Sequence, residues 1–327
     1  MSKQILDMSA NEIAKEVGRR KLSAFEVASA FLERIEEVNP VINAICTVSD
    51  TILEEARAID ERITSGGDPR PLEGVPFLIK DILQTKGVRT TFGSLLMEND
   101  IPDEDTISVE RLKAAGGILL GKTNTPEFAH DINTSNKIFG TTRNPWNVNV
   151  TAGGSSGGAG ASIAAAMAPL AIGTDLGGSI RIPCSFNNLV GLRPTPGRIP
   201  FYPTDYGWDT LVEHVQGPMV RSISDIGLAM HVLSGPDERD PSSLPNDGKF
   251  ANRYWDSYLE DITIAQEDVF HVSGTESGLE GYPNSLPYST IAASAESTGT
   301  TDWVGTSFAT PKVAADITNL KLDLDNE

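Results

Sequence analysis

The sequence predicts an α/β domain with a mostly buried sheet, and three observations support this fold class. Short apolar runs bounded by glycine or aspartate, such as GVPFLIKD at 74–81, are typical of buried strands. Helical patterns lie between these runs, and strands that alternate with helices are typical of an α/β fold. The 327 residues, of which 39% are hydrophobic and 22% are charged, suffice for a sizeable core in one large domain or two smaller ones.

Residues 1–70 form the first predicted unit, a set of N-terminal helices. Apolar side chains recur here three or four positions apart, which is typical of helices with one buried face. In the longest pattern Ser23 is the predicted N-cap, Glu26 completes a capping box and Pro40 marks the end. A second helix is predicted from about Asp50 to Ile63.

Residues 71–245 form the second predicted unit, in which strands and helices alternate. The segment 108–124, SVERLKAAGGILLGKTN, predicts a helix, a Gly-Gly stop and a strand over Ile118–Leu120. The segment 155–168, SSGGAGASIAAAMA, predicts a helix of small residues, and 169–175, PLAIGTD, predicts the strand that follows it.

The third predicted unit, residues 246–327, is acidic and follows a turn-rich linker that begins near Gly235. From Asp237 onward there are 17 acidic and 5 basic residues, a net charge of −12 out of −19 for the chain. This balance argues against nucleic acid or an anionic membrane as a partner. The two cysteines lie far apart and have no metal-like spacing, so no disulfide framework is expected. The N-terminal segment MSKQILDMSANEIAKE lacks the apolar core of a signal peptide. A cytoplasmic location is therefore expected.

The central motif is an uncharged stretch that runs from Thr151 to Thr174 and is rich in glycine, serine and alanine. Pro169 and the scarcity of large apolar side chains exclude a membrane span, and the absence of a following Gly-Lys-Ser/Thr disfavours a phosphate-binding loop. Serine needs a base to act as a nucleophile, and Lys80 suits this role if burial lowers its pKa. Taken singly, Lys80 is better explained as a solvated strand end, and Ser155 and Ser179 are better explained as helix caps.

Residues 153–184, GGSSGGAGASIAAAMAPLAIGTDLGGSIRIPC, resemble the amidase signature family without a gap. The intervals from Lys80 to Ser155 and from Ser155 to Ser179 are similar to those of the family's Ser-cisSer-Lys triad. The flanking motifs LEGVPFLIKD, GKTNTPEF, NPWN and GLRPTPGRIP are also similar to the family's. The resemblance covers roughly residues 8–245 and implies a central mixed β-sheet surrounded by helices.

The resemblance implies a role for each site residue. Ser179 would attack an amide carbonyl, Ser155 in a cis peptide would relay the proton, and Lys80 would accept it. Four backbone N–H groups would form the oxyanion hole, those of Leu176, Gly177, Gly178 and Ser179. Four further residues would support the site: Gly154, Ser156, Asp175 and Arg181. The last two are expected to pair with each other or with nearby backbone, and no metal or organic cofactor is implied.

The implied function is hydrolysis of a small-molecule carboxamide to an acid and an amine or ammonia, through an acyl-enzyme on Ser179. Two alternatives stay open: a catalytically inactive remnant that binds a partner, and a glutaminase subunit of a tRNA-dependent amidotransferase, which needs a partner chain. The resemblance ends near Pro245, whereas family members continue. The sequence therefore leaves open whether the sheet is complete, and also the oligomeric state, a homodimer included.

Residues from about 268 to 320 resemble a fragment of a subtilisin-like protease. The motif GTSFATPKVAAD places Ser307 at that family's nucleophile position, but Thr275 stands where its oxyanion asparagine belongs. The aspartate and histidine motifs are absent from the sequence, so no independent protease activity is expected. Core or surface roles are expected for the histidines His130, His214, His231 and His271. Five aromatic residues could line an acyl pocket or pack in the core: Phe128, Phe139, Tyr202, Tyr206 and Trp208.

Overall fold

The computed structural model describes residues 2–203, 214–245, 269–271 and 291–293. The helices in this part of the chain are α1 Ser2–Asp7, α2 Ala10–Gly18, α3 Ala24–Ile42, α4 Ile52–Thr64, α5 Ile107–Ala114, α6 Gly157–Ala164, α7 Arg181–Phe186 and α8 Ile223–Leu233. The strands are β1 Ile45–Val48, β2 Pro76–Lys80, β3 Ile118–Thr123, β4 Ser135–Asn136, β5 Gly140–Thr141, β6 Arg143–Asn144, β7 Asn147–Thr151, β8 Leu170–Asp175, β9 Val190–Gly191, β10 Val215–Val220, β11 Val269–His271 and β12 Ile291–Ala293.

The central sheet is mixed, with the strand order β1-β3-β2-β8-β10-β9. Strand β2 runs parallel to β3 and β8, whereas β1 and β10 pair antiparallel with their neighbours. Every residue of β2, β3, β8 and β10 is buried, because helices cover the sheet. The α/β fold class and the mixed sheet surrounded by helices are confirmed.

Helix α6 packs closely on the centre of this sheet because its residues are small. A Cβ atom on Gly158 would lie 2.4 Å from the backbone nitrogen of Asn124, so the two backbones touch where a larger residue would separate them. The predicted helix of small residues and the strand that follows it are therefore both present. Strand β3 runs three residues beyond the predicted end at Leu120.

The N-terminal helices match their prediction with two corrections. The capping box of Ser23 and Glu26 is present at the start of α3. This helix does not end at Pro40 but at Ile42, and Asn43 then adopts a left-handed conformation with φ 55°. Strand β1 was not predicted, because four residues paired with β3 at the sheet edge are too few to show a period.

The buried apolar side chains of the N-terminal helices and of the sheet form one contiguous core, from Ile5 in α1 to Leu233 in α8. The unit boundaries near residues 70 and 245 stay predictions. Ser307, Thr275, Tyr206 and Trp208 lie outside the described residues. Within the described part of the chain, no helix is both long enough and apolar enough to cross a membrane.

Candidate active site

The candidate site lies where parallel strands of the sheet end. Lys80 is the last residue of β2, and Thr174 and Asp175 are the last two residues of β8. The carboxyl ends of neighbouring parallel strands meet at one edge of a sheet, which is the usual place for an active site in α/β folds. Here Lys80 Nζ donates to Thr174 Oγ1 at 2.9 Å, and both side chains are buried.

The glycine-serine loop places Ser155 against this lysine. The distance between Lys80 Nζ and Ser155 Oγ is 2.6 Å, and the peptide bond between Gly154 and Ser155 is cis. A Cβ atom on Gly154 would lie 2.7 Å from the carbonyl carbon of Ile132, so only glycine fits there. The buried Thr134 hydroxyl lies 3.0 Å from the carbonyl oxygen of Gly153 and 3.4 Å from that of Ser155.

Ser156 connects this loop to the segment that carries Ser179. Its backbone N–H donates a hydrogen bond to the carbonyl oxygen of Ser179 at 3.2 Å. Its hydroxyl donates to the carbonyl oxygen of Thr174 and accepts a hydrogen bond from the backbone N–H of the same residue. Neither Ser155 nor Ser179 is a helix cap, since Ser156 precedes α6 and Ile180 precedes α7. The structure thus brings Ser155 into contact with Lys80 and its loop against the backbone of Ser179, which is partly exposed to solvent.

Asp175 organises the turn between β8 and Ser179. Its buried carboxylate accepts hydrogen bonds from the backbone N–H groups of Gly178 (2.8 Å) and Ile180 (3.1 Å). Arg181 donates to it through Nε at 2.9 Å and Nη2 at 2.7 Å, which is the predicted pairing, and Arg193 lies 3.6 Å away. This charge-assisted network holds the turn in one conformation.

The same network corrects the predicted set of oxyanion donors. The N–H of Gly178 points to Asp175, so in this conformation it cannot also donate to a reacting oxygen. Among the described residues, the N–H groups of Leu176, Gly177 and Ser179 have no acceptor. Leu176 and Gly177 are exposed to solvent. Gly178 instead has a φ of 114°, a conformation that side chains disfavour, which accounts for glycine at this position.

The electrostatics of the site favour an uncharged amine. Burial lowers the pKa of Lys80 from 10.5 to about 7, although the neighbouring Asp175 acts in the opposite direction. Burial and then the Lys80 charge lower the pKa of His214 to about 3, so this imidazole is neutral. Burial raises the pKa of Asp175, but the hydrogen bonds and charge of Arg181 outweigh it, and the pKa lies below its usual value. Near neutral pH, Lys80 can therefore accept a proton.

Sequence reasoning missed two residues of this site, Thr134 and Thr174, and assigned His214 only a core or surface role. Thr174 carried a usable signal, since a polar residue at the carboxyl end of a buried strand faces the usual active-site edge. Thr134 and His214 carried none, because only the folded chain brings them near Lys80 and the cis peptide. His130 and His231 are exposed, as expected of surface residues.

Three of the aromatic residues that were candidates for an acyl pocket lie in the described part of the chain, and each contacts another side chain of the protein. Phe128 lies 6.4 Å from the Phe92 ring centroid, Arg89 lies over the Phe139 ring, and Arg239 lies over the Tyr202 ring. A role of these side chains in acyl binding stays a prediction. Within the described ranges no three histidine, cysteine or acidic side chains are grouped to hold a metal ion.

The sequence is similar to a family and to individual known proteins over most of its length. The amidase family matches residues 26–266. The A subunit of the glutamyl-tRNA(Gln) amidotransferase of Carboxydothermus hydrogenoformans is 40% identical over 276 residues, which are 84% of this chain and 56% of that protein. An acylamidase of Rhodococcus erythropolis is 41% identical over 241 residues, 72% of this chain and 50% of that protein.

Comparison of the folded structure also finds a similar protein. The crystal structure of a bacterial aryl acylamidase of the amidase signature family superposes with a TM-score of 0.69 at 37% identity, covering 73% of this chain and 50% of the other. The chain thus spans about half the length of the relatives it matches.

Proposed function

The chain belongs to the amidase signature family, and we propose that it hydrolyses a carboxamide through an acyl-enzyme on Ser179. One observation carries the proposal: the buried amine of Lys80, whose pKa is near 7, lies 2.6 Å from the hydroxyl of Ser155. The loop that contains Ser155 is hydrogen-bonded to the backbone of Ser179. A general base works best when its pKa is close to the working pH and it lies within hydrogen-bonding reach.

In the first step, Ser179 Oγ forms a bond to the amide carbonyl carbon. The proton of Ser179 passes to Ser155 Oγ, and the proton of Ser155 passes to the neutral Nζ of Lys80. The carbonyl oxygen becomes an oxyanion, which the N–H groups of Leu176, Gly177 and Ser179 would stabilise. Loss of one such donor typically lowers the rate by about 100- to 1000-fold.

In the second step, the C–N bond breaks and the nitrogen takes a proton back from Lys80 through Ser155. This leaves an ester on Ser179 and releases an amine or ammonia. A water molecule then adds to the ester carbonyl and gives its proton to the same relay. The acid leaves, Ser179 regains its proton and Lys80 is neutral again, so the cycle closes without a net change in the protein.

A fluorophosphonate probe tests this assignment, because it forms a covalent bond to an activated serine. We expect the full chain to be labelled on Ser179, as mapped by mass spectrometry of the labelled peptide. Lys80→Met should lower the labelling rate by about 100- to 10,000-fold, the usual contribution of a general base. The matched control is Lys86→Met, which removes an exposed lysine from the loop that follows Lys80.

Each other outcome contradicts part of the proposal. If a folded, monodisperse sample is not labelled, the chain is an inactive remnant. Labelling of Lys80→Met at the wild-type rate rules out Lys80 as the base. A label on Ser307 assigns the reactive serine to the segment that resembles a protease.

A second candidate is the glutaminase subunit of a tRNA-dependent amidotransferase. It is supported by the 40% identity to the amidotransferase subunit, whereas the 41% identity to the acylamidase supports a stand-alone amidase. The same triad would act on glutamine, and the product would be ammonia that is passed to a partner chain. Release of ammonia from glutamine, compared with release of aniline from acyl anilides, distinguishes the two functions.

A further inference from the structure

A second buried lysine, Lys122 on β3, lies outside the residues that the proposed reaction uses. Its ammonium donates to the carbonyl oxygen of Leu83 and to the hydroxyls of Thr85 at 2.8 Å and Thr90 at 3.0 Å. Its side chain is fully buried, and each of its three N–H groups has an acceptor. A buried charge is tolerated only when it is satisfied in this way.

All three acceptors belong to the loop that directly follows Lys80. This loop also returns to the end of β2, where the buried Asp81 carboxylate accepts hydrogen bonds from the backbone N–H and the hydroxyl of Thr91. The Asp81 backbone N–H donates to the carbonyl oxygen of Thr123 at 3.0 Å. Lys122 and Asp81 therefore fasten the loop, defined here as residues 81–91, to the strand end that carries Lys80.

Lys122 acts on this strand end from the side opposite the reacting groups. The register pairs Ile79 with Lys122 and Lys80 with Thr123. Side chains alternate between the two faces of a sheet, so Lys122 and Lys80 lie on opposite faces. Lys122 thus acts on the reacting groups through the backbone that it holds and not by contact.

We propose that Lys122 is a positioning residue for amide hydrolysis, which holds the 81–91 loop so that the Lys80 amine stays in place and shielded from water. The inference rests on the proposed function, in which Lys80 is the base. Shielding matters because burial is the main reason that the Lys80 amine loses its proton so readily. A loosened strand end would admit water and restore the charged form.

Several charged groups surround the two lysines. Burial lowers the pKa of Lys122 to about 8 against the pull of Asp81, and burial raises the pKa of Asp81 to about 6. The other groups that act on this pair are Cys46, Arg89, Asp105 and Lys113. Asp175 and His214 face Lys80. Lys122→Met also removes a positive charge, which would itself raise the Lys80 pKa, whereas Thr90→Val keeps that charge and acts on Lys80 only through the loop.

The experiment titrates Lys80 directly in protein labelled with ¹³C-lysine, following its Cε resonance by NMR. The resonance is assigned by its loss in Lys80→Met. In Lys122→Met we expect the Lys80 pKa to rise by about one unit, a tenfold smaller ratio of neutral to charged amine at a given pH. The labelling rate of Ser179 at pH 7 should fall severalfold to tenfold. Lys86→Met, on the same loop but exposed, should leave both quantities unchanged.

Thr90→Val keeps the inference testable if Lys122→Met does not fold. It removes one acceptor and leaves Lys122 with two, so a smaller shift in the same direction is expected. An unchanged Lys80 titration in the folded variants overturns the inference, and so does a shift of equal size in Lys86→Met. A shifted titration in a protein whose Ser179 is never labelled would uphold the positioning role and refute the proposed function, so the two failures are distinguishable.

Discussion

At the scale of single residues, the burial of Lys80 has two effects: it favours the uncharged amine, and it makes the charged form costly to the stability of the fold. Its side chain is fully buried, and the two hydroxyls of Ser155 and Thr174 are its hydrogen-bond partners. These neutral groups compensate only in part for the water that a charged ammonium loses on burial. The amine is therefore easily deprotonated, as the proposed role of base requires, and its charged form destabilises the fold.

The pH dependence of stability tests this link in Lys80→Met. An unfolded lysine keeps its proton up to about pH 10.5, whereas folded Lys80 loses its proton near pH 7. Between these values the unfolded state binds more protons, so wild-type stability rises with pH by up to about 1.4 kcal/mol per unit. Below pH 7 Lys80 is charged in both states, and the folded state bears the full free-energy cost of burying this charge. After allowing for two lost hydrogen bonds, the variant should be roughly 2–4 kcal/mol more stable there.

Urea unfolding of both proteins from pH 6 to pH 10 measures the difference. The stability gain of Lys80→Met should be largest at pH 6 and should shrink as the pH rises. A gain that is independent of pH, or a loss at pH 6, would mean that the wild-type lysine is charged at no cost in the folded state.

At the scale of elements, two helix N-termini are capped by carboxylates from distant parts of the chain. The Asp60 carboxylate of α4 accepts hydrogen bonds from the backbone N–H groups of Ala24 and Phe25 at the start of α3. The Asp225 carboxylate of α8 accepts hydrogen bonds from the backbone N–H groups of Ala10 and Asn11 at the start of α2. A carboxylate suits this place because the first N–H groups of a helix lack intrahelical acceptors and carry partial positive charge.

Asp225→Ala should therefore weaken the contact between α2 and α8. The backbone N–H of Ala10, the backbone N–H of Asn11 and the Asn11 side chain all lose their acceptor. The free energy of unfolding should fall by about 2–3 kcal/mol. Asp50→Ala, at an exposed aspartate, should change it by less than about 0.5 kcal/mol. Equal unfolding midpoints for the two variants would contradict the capping role, and labelling of Ser179 in the folded fraction should be unaffected in both.

These caps also mark what could be predicted from sequence. The capping box of Ser23 and Glu26 was found because both residues lie within one helical turn. The carboxylates of Asp60 and Asp225 act over 35 and 214 residues, a separation that carries no local pattern. Fully buried strands such as β2 and β8 were found as apolar runs, whereas the short edge strand β1 was not.

The candidate site divides in the same way. Lys80, Ser155 and Ser179 were predicted as a triad because a family pattern fixes their spacing, and their catalytic roles stay a proposal. The hydrogen bond from the Gly178 N–H to Asp175 was missed, because a motif specifies residue types and not the directions of their backbone groups. The contact of Lys122 with the loop after Lys80 was missed because it depends on strand pairing between β2 and β3.

At the scale of the whole molecule, one arginine joins the N-terminal helices to the rest of the core. Arg221, next to the end of β10, donates to four backbone carbonyl groups, those of Leu6, Met8, Ile163 and Ala168. The first two lie at the end of α1 and just after it, and the other two lie around the connection from α6 to β8. Because the apolar core is continuous across the same boundary, we expect residues 1–70 and the sheet to unfold together.

Arg221→Met tests this cooperativity, because it removes the polar tie and leaves the apolar core in place. Four carbonyl groups lose a charged donor, so the free energy of unfolding should fall by about 3 kcal/mol, in a single transition seen alike by far-UV circular dichroism and tryptophan fluorescence. Arg19→Met, at an exposed arginine of the N-terminal helices, should leave the transition unchanged. Separate transitions for helices and sheet would instead mean that the N-terminal helices are an independent unit, and the boundary near residue 70 would then divide two domains rather than two parts of one core.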